Sequence, residues 1–543
     1  IDVLFLGHGQ REGRGYHLSH VFAPVFSRSL GGEKIRLRYV EDPAVLNPED
    51  LAQTDVLMIY ANFDQLSPAQ ETALLNFVAD GGGFVPVHSA SACFGRSQPY
   101  VDLVGARFKS HGMEAFTAHV EPGQEHHPIM DGFHEFETTD ETYVHADHNE
   151  ENRTVLMTRE DEPWTWTRTH GKGRVFYTAY GHDLQTWGQA AFHDLLIRGI
   201  RWAAGDAKAA ANLALVKTLP TARYEPADTI PNYRKQDPAP ELAKPFTPAE
   251  SQQLTLAERG FELQLFAAEP MVVNPIAFAW DARGRLFVAE TIDYPNEVDT
   301  NQQGDDRILI LEDTDGDGRA DKSTVFADGL NIPTSLTPID GGWIVAQAPQ
   351  FLFLKDTDGD DRADVRYAIN QDWGVEDTHA GPSSLRYGFD NQIWGAVGYS
   401  DAKKSTQGEF GQGVFRMDPS SGVVEPVGMF SNNTWGLGMS EDFEIFGSTA
   451  NGAPAWHAPL WRTYTYDRHD ALPPQLAAKI DDFTQFFAAT DKFLQVDWHG
   501  RYTAGAGFNL YTARSFPERF WNKGAFIGGP TGHLLGEFFL QEA

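Results

Sequence analysis

The chain has 543 residues, enough for two or three domains that each bury a core of their own. Its formal net charge of −33 argues against nucleic acids and anionic membranes as partners, because both repel an acidic surface. The single cysteine, Cys93, excludes disulfide crosslinks, c-type haem attachment and cysteine zinc sites, and no apolar run reaches the length of a membrane span.

The first 208 residues alternate apolar strands with helices, a pattern typical of an α/β flavodoxin-like domain built on a parallel sheet. One helix is predicted to begin after Ser67 as N-cap, with Glu71 one position beyond that of a capping box. A second, amphipathic helix is predicted over residues 189–206. The predicted strands are IDVLFLGHG (1–9), TDVLMIYAN (54–62), GGGFVPVHSAS (81–91) and GKGRVFYTAYGHD (171–183).

Polar residues follow the ends of these strands. Ligands of such sheets bind at the carboxyl ends of the strands, so we expect side chains placed there to converge on one crevice. Any single histidine is more often structural than catalytic, and the prediction therefore depends on several of them meeting. The strand-end residues, predicted to bind a substrate or cofactor or to take part in catalysis, are His8, Asn62, His88 and His182.

Three segments resemble the trehalose-utilisation (ThuA-like) family, a branch of the class I glutamine amidotransferase-like fold. They are GGGFVPVHSAS, EHHPIMDGFHEFETTDETYVH (125–145) and GRVFYTAYGHDLQTW (173–187). Amidotransferases carry a nucleophilic cysteine at the turn after a strand, whereas this turn carries His88 and Ser89, so amidotransferase chemistry is not expected. The resemblance implies conversion of a carbohydrate or keto-sugar.

The crevice is then predicted to hold both imidazoles and carboxylates. That mixture suits either a divalent metal or acid–base work on a sugar hydroxyl or carbonyl, and the sequence leaves both open. The residues predicted to be catalytic are His88, Glu141 and His145, and those predicted to bind substrate or cofactor are His8, Asn62 and His182.

Residues 209–250 are rich in proline, alanine and charge without a sustained apolar period, and are predicted to form an extended linker. A helix is predicted over residues 251–260, capped by the turn at Thr247 and Pro248, as the start of a second domain over residues 251–543.

Two near-identical acidic loops, DTDGDGRAD (313–321) and DTDGDDRAD (356–364), each follow a strand-like apolar run. Calcium takes about six to eight oxygen ligands, which alternate aspartates and one backbone carbonyl can supply. The alternative is a solvated acidic turn, and the loops depart from the EF-hand in the position of glycine and in lacking its final glutamate. The predicted ligands are Asp313, Asp315, Asp317, the Arg319 carbonyl and Asp321, and then Asp356, Asp358, Asp360, the Arg362 carbonyl and Asp364.

These loops bear on location. No signal peptide precedes the first strand, which leaves open whether a leader was cleaved or never existed. Aspartate loops of ordinary affinity fill best where calcium is millimolar. We therefore expect a secreted, periplasmic or cell-surface protein.

A strand, a turn with aspartate and a second strand recur at intervals of roughly 50 residues, which predicts a β-propeller with one blade per repeat. A β-sandwich would not explain so regular a spacing. We expect six blades, of which one is hidden or follows residue 543. The five hairpins seen are residues 276–290, 334–347, 383–398, 435–449 and 493–505.

The second domain resembles the sorbosone or soluble aldose dehydrogenase propellers, and more closely the secreted Planctomycetes-type membrane-bound dehydrogenase family, in which fusion to a ThuA-like domain also occurs. Besides the two acidic loops, the segments that carry the resemblance are FAAEPMVVNPIAFAWDARGRLFVAETIDYPN (266–296), VEDTHAGPSSLRYGFDNQIW (375–394) and YTARSFPERFWNKGAFIGGPTGHLLG (511–536).

This resemblance implies a quinone-dependent sugar dehydrogenase. His379 resembles the histidine that abstracts the sugar proton, and Arg386 and Arg501 are candidates to clamp the carboxylates of pyrroloquinoline quinone. The alternative for His379 is a loop histidine that caps a strand. The chain contains no CxxCH, which argues against electron transfer to an attached haem. The partners that the resemblance implies are a cytochrome or another protein.

Two hypotheses remain open. The first is a secreted carbohydrate-active protein, either a sugar or aldehyde oxidoreductase or a keto-sugar-converting enzyme, with a calcium-stabilised propeller. The second is a non-catalytic scaffold that binds glycans or proteins within a larger surface or electron-transfer assembly. The missing haem favours the second for the propeller, and the histidine-rich crevice favours chemistry in the first domain.

Overall fold

The computed structural model describes residues 1–8, 17–226, 241–295, 298, 303–459, 478–480, 502–532 and 534–540. The chain forms two compact units, one of residues 1–224 with 243–263 and one of residues 225–242 with 264–543. None of the described helices is both long enough and apolar enough to cross a membrane.

The first unit is organised around an eight-stranded mixed sheet in the order β2-β1-β3-β4-β10-β9-β8-β6. The strands from β2 to β10 run parallel, and those from β10 to β6 run antiparallel. Strands β5 and β7 form a separate antiparallel ribbon. In chain order the strands are β1 (Asp2–Leu6), β2 (Arg36–Val40), β3 (Val56–Ile59), β4 (Gly83–Pro86), β5 (Arg107–Thr117), β6 (His119–Val120), β7 (Glu137–Ala146), β8 (Arg153–Arg159), β9 (Glu162–His170) and β10 (Gly173–Thr178).

The parallel strands β3 and β4 are buried at every residue, as expected of a sheet covered on both faces. The aromatic core includes Trp187, which is fully buried and lies 5.5 Å from the ring of Phe22 and 5.2 Å from that of Tyr60. The helices are α1 (Ser19–Gly31), α2 (Pro48–Ala52), α3 (Pro68–Ala79), α4 (Gln98–Val104), α5 (Leu184–Trp187), α6 (Ala190–Ala203), α7 (Asp206–Val216) and α8 (Pro248–Leu254). The short 3-10 helices of this unit are Pro43–Val45 and His88–Ser91.

The four predicted strands correspond to β1, β3, β4 and β10, and the predicted helix after Ser67 is α3. Ser67 caps α3 as expected. The prediction considered only Glu71, one position too far for a capping box, but Gln70 lies at the required third position and completes the box. Ser67 N donates to Gln70 Oε1 at 2.9 Å, and Gln70 N donates to Ser67 Oγ at 3.3 Å.

The predicted extended linker at 209–250 needs correction at its start, because α7 continues to Val216. The segment DAKAAANLALV is dominated by alanine and leucine, the strongest helix formers, and contains no proline. Two short strands, β11 (Tyr224–Pro226) and β12 (Glu241–Ala243), form a two-stranded sheet. Helix α8 is capped by Thr247 as predicted, but begins earlier and ends at Leu254.

The second unit is built of five β-sheets in the part of the chain that the structure describes. Each sheet is a meander of antiparallel strands. The strands are β13 (Pro275–Trp280), β14 (Leu286–Glu290), β15 (Asp306–Glu312) and β16 (Lys322–Leu330); β17 (Ser335–Ile339), β18 (Gly342–Gln347), β19 (Gln350–Lys355) and β20 (Val365–Asn370); β21 (Ser383–Tyr387), β22 (Ile393–Val397), β23 (Gly413–Met417) and β24 (Val424–Met429); β25 (Thr434–Met439), β26 (Ile445–Thr449), β27 (Trp456–His457) and β28 (Ala478–Lys479); β29 (Ala506–Leu510), β30 (Gly524–Gly529) and β31 (Leu534–Phe539).

The first strands of successive sheets are neighbours: β13 lies beside β17, β17 beside β21, β21 beside β25, and β25 beside β29. This is the arrangement of inner strands in a β-propeller, so the predicted architecture is confirmed. The turn aspartates recur because they stabilise the first hairpin. Asp281 Oδ1, for example, accepts from the backbone N–H groups of Arg283 and Arg285, both at 2.9 Å.

The expectation of six blades is corrected to five, since each visible repeat yields one sheet and the described residues contain no sixth. Most of the predicted hairpin at 493–505 lies outside the described residues and stays a prediction. The described strands of the fifth sheet lie within residues 506–539. Its first two strands are joined by residues 511–523, which contain no glycine or aspartate turn and therefore lack the signal that marked the other repeats.

Candidate functional site

Three imidazoles and one carboxylate meet in the first unit. One ligand atom from each of His17, His88, Glu141 and His182 lies within 4.8 Å of the other three. His88 is fully buried, and of the four only His182 is more than a tenth exposed. We call these residues the His/Glu cluster.

The topology of the sheet explains why these residues meet. His88 follows β4 and His182 follows β10, and neighbouring parallel strands present their carboxyl ends at one edge of a sheet. His17 lies two residues before α1, on the return from β1. Glu141 comes from β7, so the separate β5–β7 ribbon supplies the only carboxylate of the cluster.

The tautomer of His88 is set by its surroundings. Nδ1 lies 2.6 Å from the carbonyl oxygen of Ala179, which can only accept, so Nδ1 carries a proton. In the neutral ring, Nε2 then has its lone pair directed into the cluster, 3.2 Å from Glu141 Oε2. The ring also stacks on Tyr143 at 4.1 Å.

His17 is oriented in the same way. Its Nδ1 lies 2.9 Å from Asn62 Oδ1, which leaves Nε2 facing the cluster, 3.2 Å from His88 Nε2 and 3.5 Å from Glu141 Oε2. Burial lowers the pKa of His17, and its contact with Glu141 only partly opposes this, so the neutral ring is favoured. Two imidazole lone pairs and a carboxylate at these distances call for a proton or a cation between them.

Glu141 and His182 form the other side of the cluster, with Glu141 Oε1 3.2 Å from His182 Nδ1. Burial alone would raise the pKa of Glu141, but its contacts with the three histidines hold that pKa well below its usual range. Burial alone would lower the pKa of His182, but the adjacent Glu141 carboxylate raises it overall. His182 Nδ1 is buried and close to this carboxylate, but it forms no hydrogen bond of good geometry with any described residue. A nitrogen in this situation is suited to bind a metal.

Asp140 ties the segment after β10, which carries His182, to strand β7, which carries Glu141. Its fully buried carboxylate accepts from the backbone N–H groups of Gly181 at 2.8 Å and His182 at 3.0 Å, and from the Thr186 hydroxyl at 2.7 Å. It also accepts from the N–H of Glu141 at 2.8 Å. The segments that carry two of the cluster residues are thus tied to one side chain.

Three imidazole nitrogens and one carboxylate oxygen suit Zn²⁺ and other divalent first-row transition metals. Calcium and magnesium prefer shells of oxygen, which this cluster does not offer. The orientation of each imidazole by an acceptor on its other nitrogen, seen for His17 and His88, is usual for metal-binding histidines.

The structure brings together three of the residues predicted from sequence, His88, Glu141 and His182, and adds His17. Asn62 contacts the His17 ring through Oδ1 and is not one of the cluster residues. His8 and His145 are not in the group of ligand atoms found among the described residues. The backbone of His8 donates to Ser19 Oγ at 2.8 Å, and His145 lies between Glu162 and Tyr177.

Two histidines of this region were missed from the sequence. His17 does not follow a strand, and the signal that could have found it is its place just before the first helix of the sheet. His111 lies on β5, where Nδ1 is 3.4 Å from Glu141 Oε1. Its side chain is 44% exposed, so it is the imidazole beside the cluster that is most open to solvent.

The acidic loops of the second unit have nearly the same internal hydrogen bonds. Asp313 accepts from the backbone N–H groups of Gly316 at 2.7 Å and Gly318 at 2.8 Å. Asp356 accepts from the equivalent groups of Gly359 at 2.7 Å and Asp361 at 2.9 Å. The two copies therefore adopt one conformation.

The carboxylates of these loops converge only in part. Close groups of ligand atoms are formed by Asp313, Asp315 and Asp317 in the first loop, and by Asp356, Asp358 and Asp364 in the second. Of the other predicted ligands, Asp321 Oδ2 accepts from the Thr314 hydroxyl at 2.7 Å and Asp360 Oδ1 accepts from Arg362 N at 2.9 Å. Arg319 N similarly donates to Asp317 Oδ1 at 2.8 Å.

His379 lies in an exposed loop before β21. Its Nδ1 is 3.1 Å from Asp377 Oδ1, its ring centroid is 5.1 Å from that of Tyr294, and its side chain is 58% exposed. Arg386 donates from Nη2 to Asn509 Oδ1 at 2.7 Å, and Arg501 lies outside the described residues. The ion-pair partner of His379 among the described residues is the Asp377 carboxylate.

Residues 247–543 match the family model described as "Domain of unknown function (DUF7133)". The chain belongs to the DUF7133 family. Residues 10–203 of this DUF7133 protein match the model described as "Trehalose utilisation" (ThuA), so its first unit is a ThuA-like domain, as the sequence predicted. The narrower Planctomycetes-type resemblance stays a prediction.

Solved structures resemble parts of the DUF7133 protein. ThuA-like proteins from Parabacteroides merdae ATCC 43184 and Bacteroides uniformis ATCC 8492 are each 19% identical, with TM-scores of 0.33 and 0.32; they cover 38% and 37% of this chain and 90% and 91% of their own. The PQQ-bound aldose sugar dehydrogenase from Streptomyces coelicolor is 12% identical with a TM-score of 0.29, covering 49% of this chain and 78% of its own. Such low scores carry no argument about function, and comparison with the curated proteins finds no match.

Proposed function

We propose that the ThuA-like unit binds a divalent transition metal through the His/Glu cluster and converts an oxygen-rich small molecule, a carbohydrate or keto-sugar. The observation that carries the proposal is the approach of three imidazole nitrogens and one carboxylate oxygen to within 4.8 Å in a buried site. The match to the trehalose-utilisation model supports the substrate class.

A metal bound here would act as a Lewis acid that polarises a carbonyl or hydroxyl oxygen of the substrate. The residues around it have separate roles. Asn62 and the Ala179 carbonyl keep Nε2 of His17 and His88 available by accepting from the opposite ring nitrogens. Glu141 adds the negative charge that favours a cation, and His111, half-exposed beside Glu141, is placed to contact the substrate.

The test is metal binding by the purified, metal-stripped chain, measured by titration with Zn²⁺ and with Co²⁺. The unmodified protein should bind one ion at this site, and His88→Ala or Glu141→Gln should weaken binding at least about 100-fold, because each removes a ligand from a buried set. The matched control is His119→Ala, which removes an exposed histidine paired with Glu135. Equal affinity in all four proteins would refute the site.

For the second unit we propose a calcium ion in each acidic loop. Support comes from the shared conformation of the two loops and from the three carboxylates that approach one another in each. Their proposed role is to stabilise the propeller. On the same argument about calcium, we propose that the protein works outside the cytoplasm.

A second candidate activity is oxidation of a sugar by the propeller, with His379 as the base. The observation that favours it is the contact of Asp377 Oδ1 with His379 Nδ1, which orients the ring and leaves Nε2 directed away from the carboxylate. A propeller that only binds glycans or proteins is the alternative.

A further inference from the structure

A chain of buried polar side chains ends at the turn that carries His88. Tyr177 Oη lies 3.2 Å from the carbonyl oxygen of His88 and 3.0 Å from Ser91 Oγ. On its other side, the same hydroxyl lies 3.0 Å from His145 Nε2. His145 Nδ1 in turn lies 2.8 Å from Glu162 Oε1. None of these contacts belongs to the His/Glu cluster itself.

We propose that Glu162, His145 and Tyr177 act as positioning residues that hold the His88 turn in the shape required for metal binding. We call them the Glu162–His145–Tyr177 chain. The inference rests on the proposed metal site and assigns a role to His145, which the sequence predicted to be catalytic.

The hydrogen bonds have a consistent direction. Burial would raise the pKa of Glu162, but its hydrogen bond with His145 lowers it, so the carboxylate accepts from Nδ1–H. Burial lowers the pKa of His145, which favours a neutral ring whose Nε2 accepts a proton. Tyr177 then donates its one hydroxyl proton to His145 Nε2. The Ser91 hydroxyl proton faces the two remaining acceptors, the His88 carbonyl and Tyr177 Oη, each 3.0 Å from Ser91 Oγ.

The His88 turn needs such support. His88 adopts φ of +47°, the left-handed region, which is unfavourable for a non-glycine residue and persists only where neighbours hold it. Its carbonyl accepts from the hydroxyl of Ser91, which Tyr177 Oη contacts at 3.0 Å, and its ring is held by the Ala179 carbonyl. Fixing both the backbone and the ring aims Nε2 at Glu141.

The polar character of this chain is not needed for packing. The side chain of His145 is fully buried and its ring lies 5.3 Å from that of Trp166, within an otherwise aromatic region. Replacing both partners of a buried hydrogen bond with apolar groups of the same shape is often close to neutral for stability. Packing alone would thus be served equally well by apolar side chains. The polar chain that ends at the His88 turn is better explained by the geometry that it imposes on that turn.

The test uses Co²⁺, whose visible absorption reports the geometry of its ligands. Tyr177→Phe removes one hydroxyl and keeps the ring, and should weaken Co²⁺ binding about tenfold and alter the visible spectrum. Glu162→Ala should do the same, whereas Glu162→Gln keeps an acceptor for His145 Nδ1–H and should stay within about threefold. Tyr180→Phe is the matched control, since its buried hydroxyl instead accepts from Ala118 N at 3.0 Å.

The outcomes separate the two proposals. If the unmodified protein binds no Co²⁺, the metal site itself is refuted. If it binds Co²⁺ and Tyr177→Phe keeps the same affinity and spectrum, even with a lower melting temperature, the chain supports only the fold and the inference is overturned while the metal site stands.

Discussion

The Nε2 atoms of His17 and His88 lie 3.2 Å apart, with the opposite nitrogen of each ring committed to an acceptor. Rings held in this way direct their remaining nitrogens at each other, an arrangement that a cation between them would turn from repulsive to favourable. In the proposed metal site this geometry is set by the protein, which reduces the reorganisation needed for binding.

The first prediction concerns Asn62, whose Oδ1 orients His17. Asn62→Leu removes the acceptor, allows the His17 ring to turn, and should weaken Co²⁺ binding about tenfold. Asn62→Asp keeps an oxygen at the same place and should bind at least as tightly as the unmodified protein. Titration of the three proteins with Co²⁺ checks this, and equal affinity for Asn62→Leu would show that His17 is held by other contacts.

The second prediction concerns calcium. Addition of Ca²⁺ to chelator-treated protein should raise the melting temperature of the propeller, since a site filled at 100 times its Kd adds about 2.7 kcal/mol of stability. Asp315→Asn and Asp358→Asn should each remove about half of the increase, and the double variant nearly all of it.

Scanning calorimetry with Ca²⁺, with Mg²⁺ and with chelator measures this effect. Mg²⁺ is the matched control ion, because it requires a near-octahedral shell and loses its water reluctantly, and should therefore bind these loops poorly. The same melting temperature in all three conditions would identify the loops as solvated acidic turns.

Four of the eight strands of the first unit's sheet could be predicted because buried parallel strands are continuous apolar runs, and the residues that end them are easily located. His88 and His182 were found by this rule. His17 was not, because its position depends on how the chain returns from β1 to α1, which no local pattern reports. His8 satisfied the rule yet lies outside the cluster, since the end of a strand does not specify where a side chain points.

The propeller shows the same division between local and long-range information. Four hairpins were predicted because each tight turn contains an aspartate that is visible in the sequence, and Asp281 shows how such a residue can cap the turn. The fifth sheet joins β29 to β30 through a longer connection without that aspartate, so these strands were not predicted. The number of blades depends on closure of a ring, a property that repeat spacing alone does not encode.

The third prediction concerns acid stability at Asp281. Burial would raise the pKa of this carboxyl, but hydrogen bonds from Arg285 and Arg283 lower it below its usual value. Its stabilising effect is therefore complete above the unfolded pKa of about 3.9 and is lost as the pH falls through the lower folded value. Asp281→Asn should reduce the free energy of unfolding by about 1–2 kcal/mol at pH 7 and by much less at pH 2.5.

Urea unfolding of both proteins at the two pH values measures the difference. The exposed Asp328, replaced by asparagine, is the control and should leave the free energy of unfolding unchanged at either pH. A deficit for Asp281→Asn that is the same at pH 7 and pH 2.5 would mean that the charge of Asp281 does not contribute.

The fourth prediction concerns His379 and decides between an oxidising and a purely binding propeller. With added pyrroloquinoline quinone, Ca²⁺, an aldose and an artificial electron acceptor, a catalytic propeller should turn over. His379→Ala should then lower kcat at least about 100-fold, the usual contribution of a general base. Asp377→Asn keeps an oxygen near Nδ1, 3.1 Å away in the native loop, and should lower kcat less.

His457→Ala is the matched control, because His457 is also a partly exposed histidine paired with a carboxylate, Glu444, at 2.6 Å. Its kcat should equal that of the unmodified protein. Absence of turnover in the unmodified protein, together with no quinone absorption after reconstitution, would exclude the dehydrogenase and leave the propeller as a binding scaffold. Turnover that survives in His379→Ala would instead place the base elsewhere, because an exposed histidine held by one carboxylate would then have no part in proton removal.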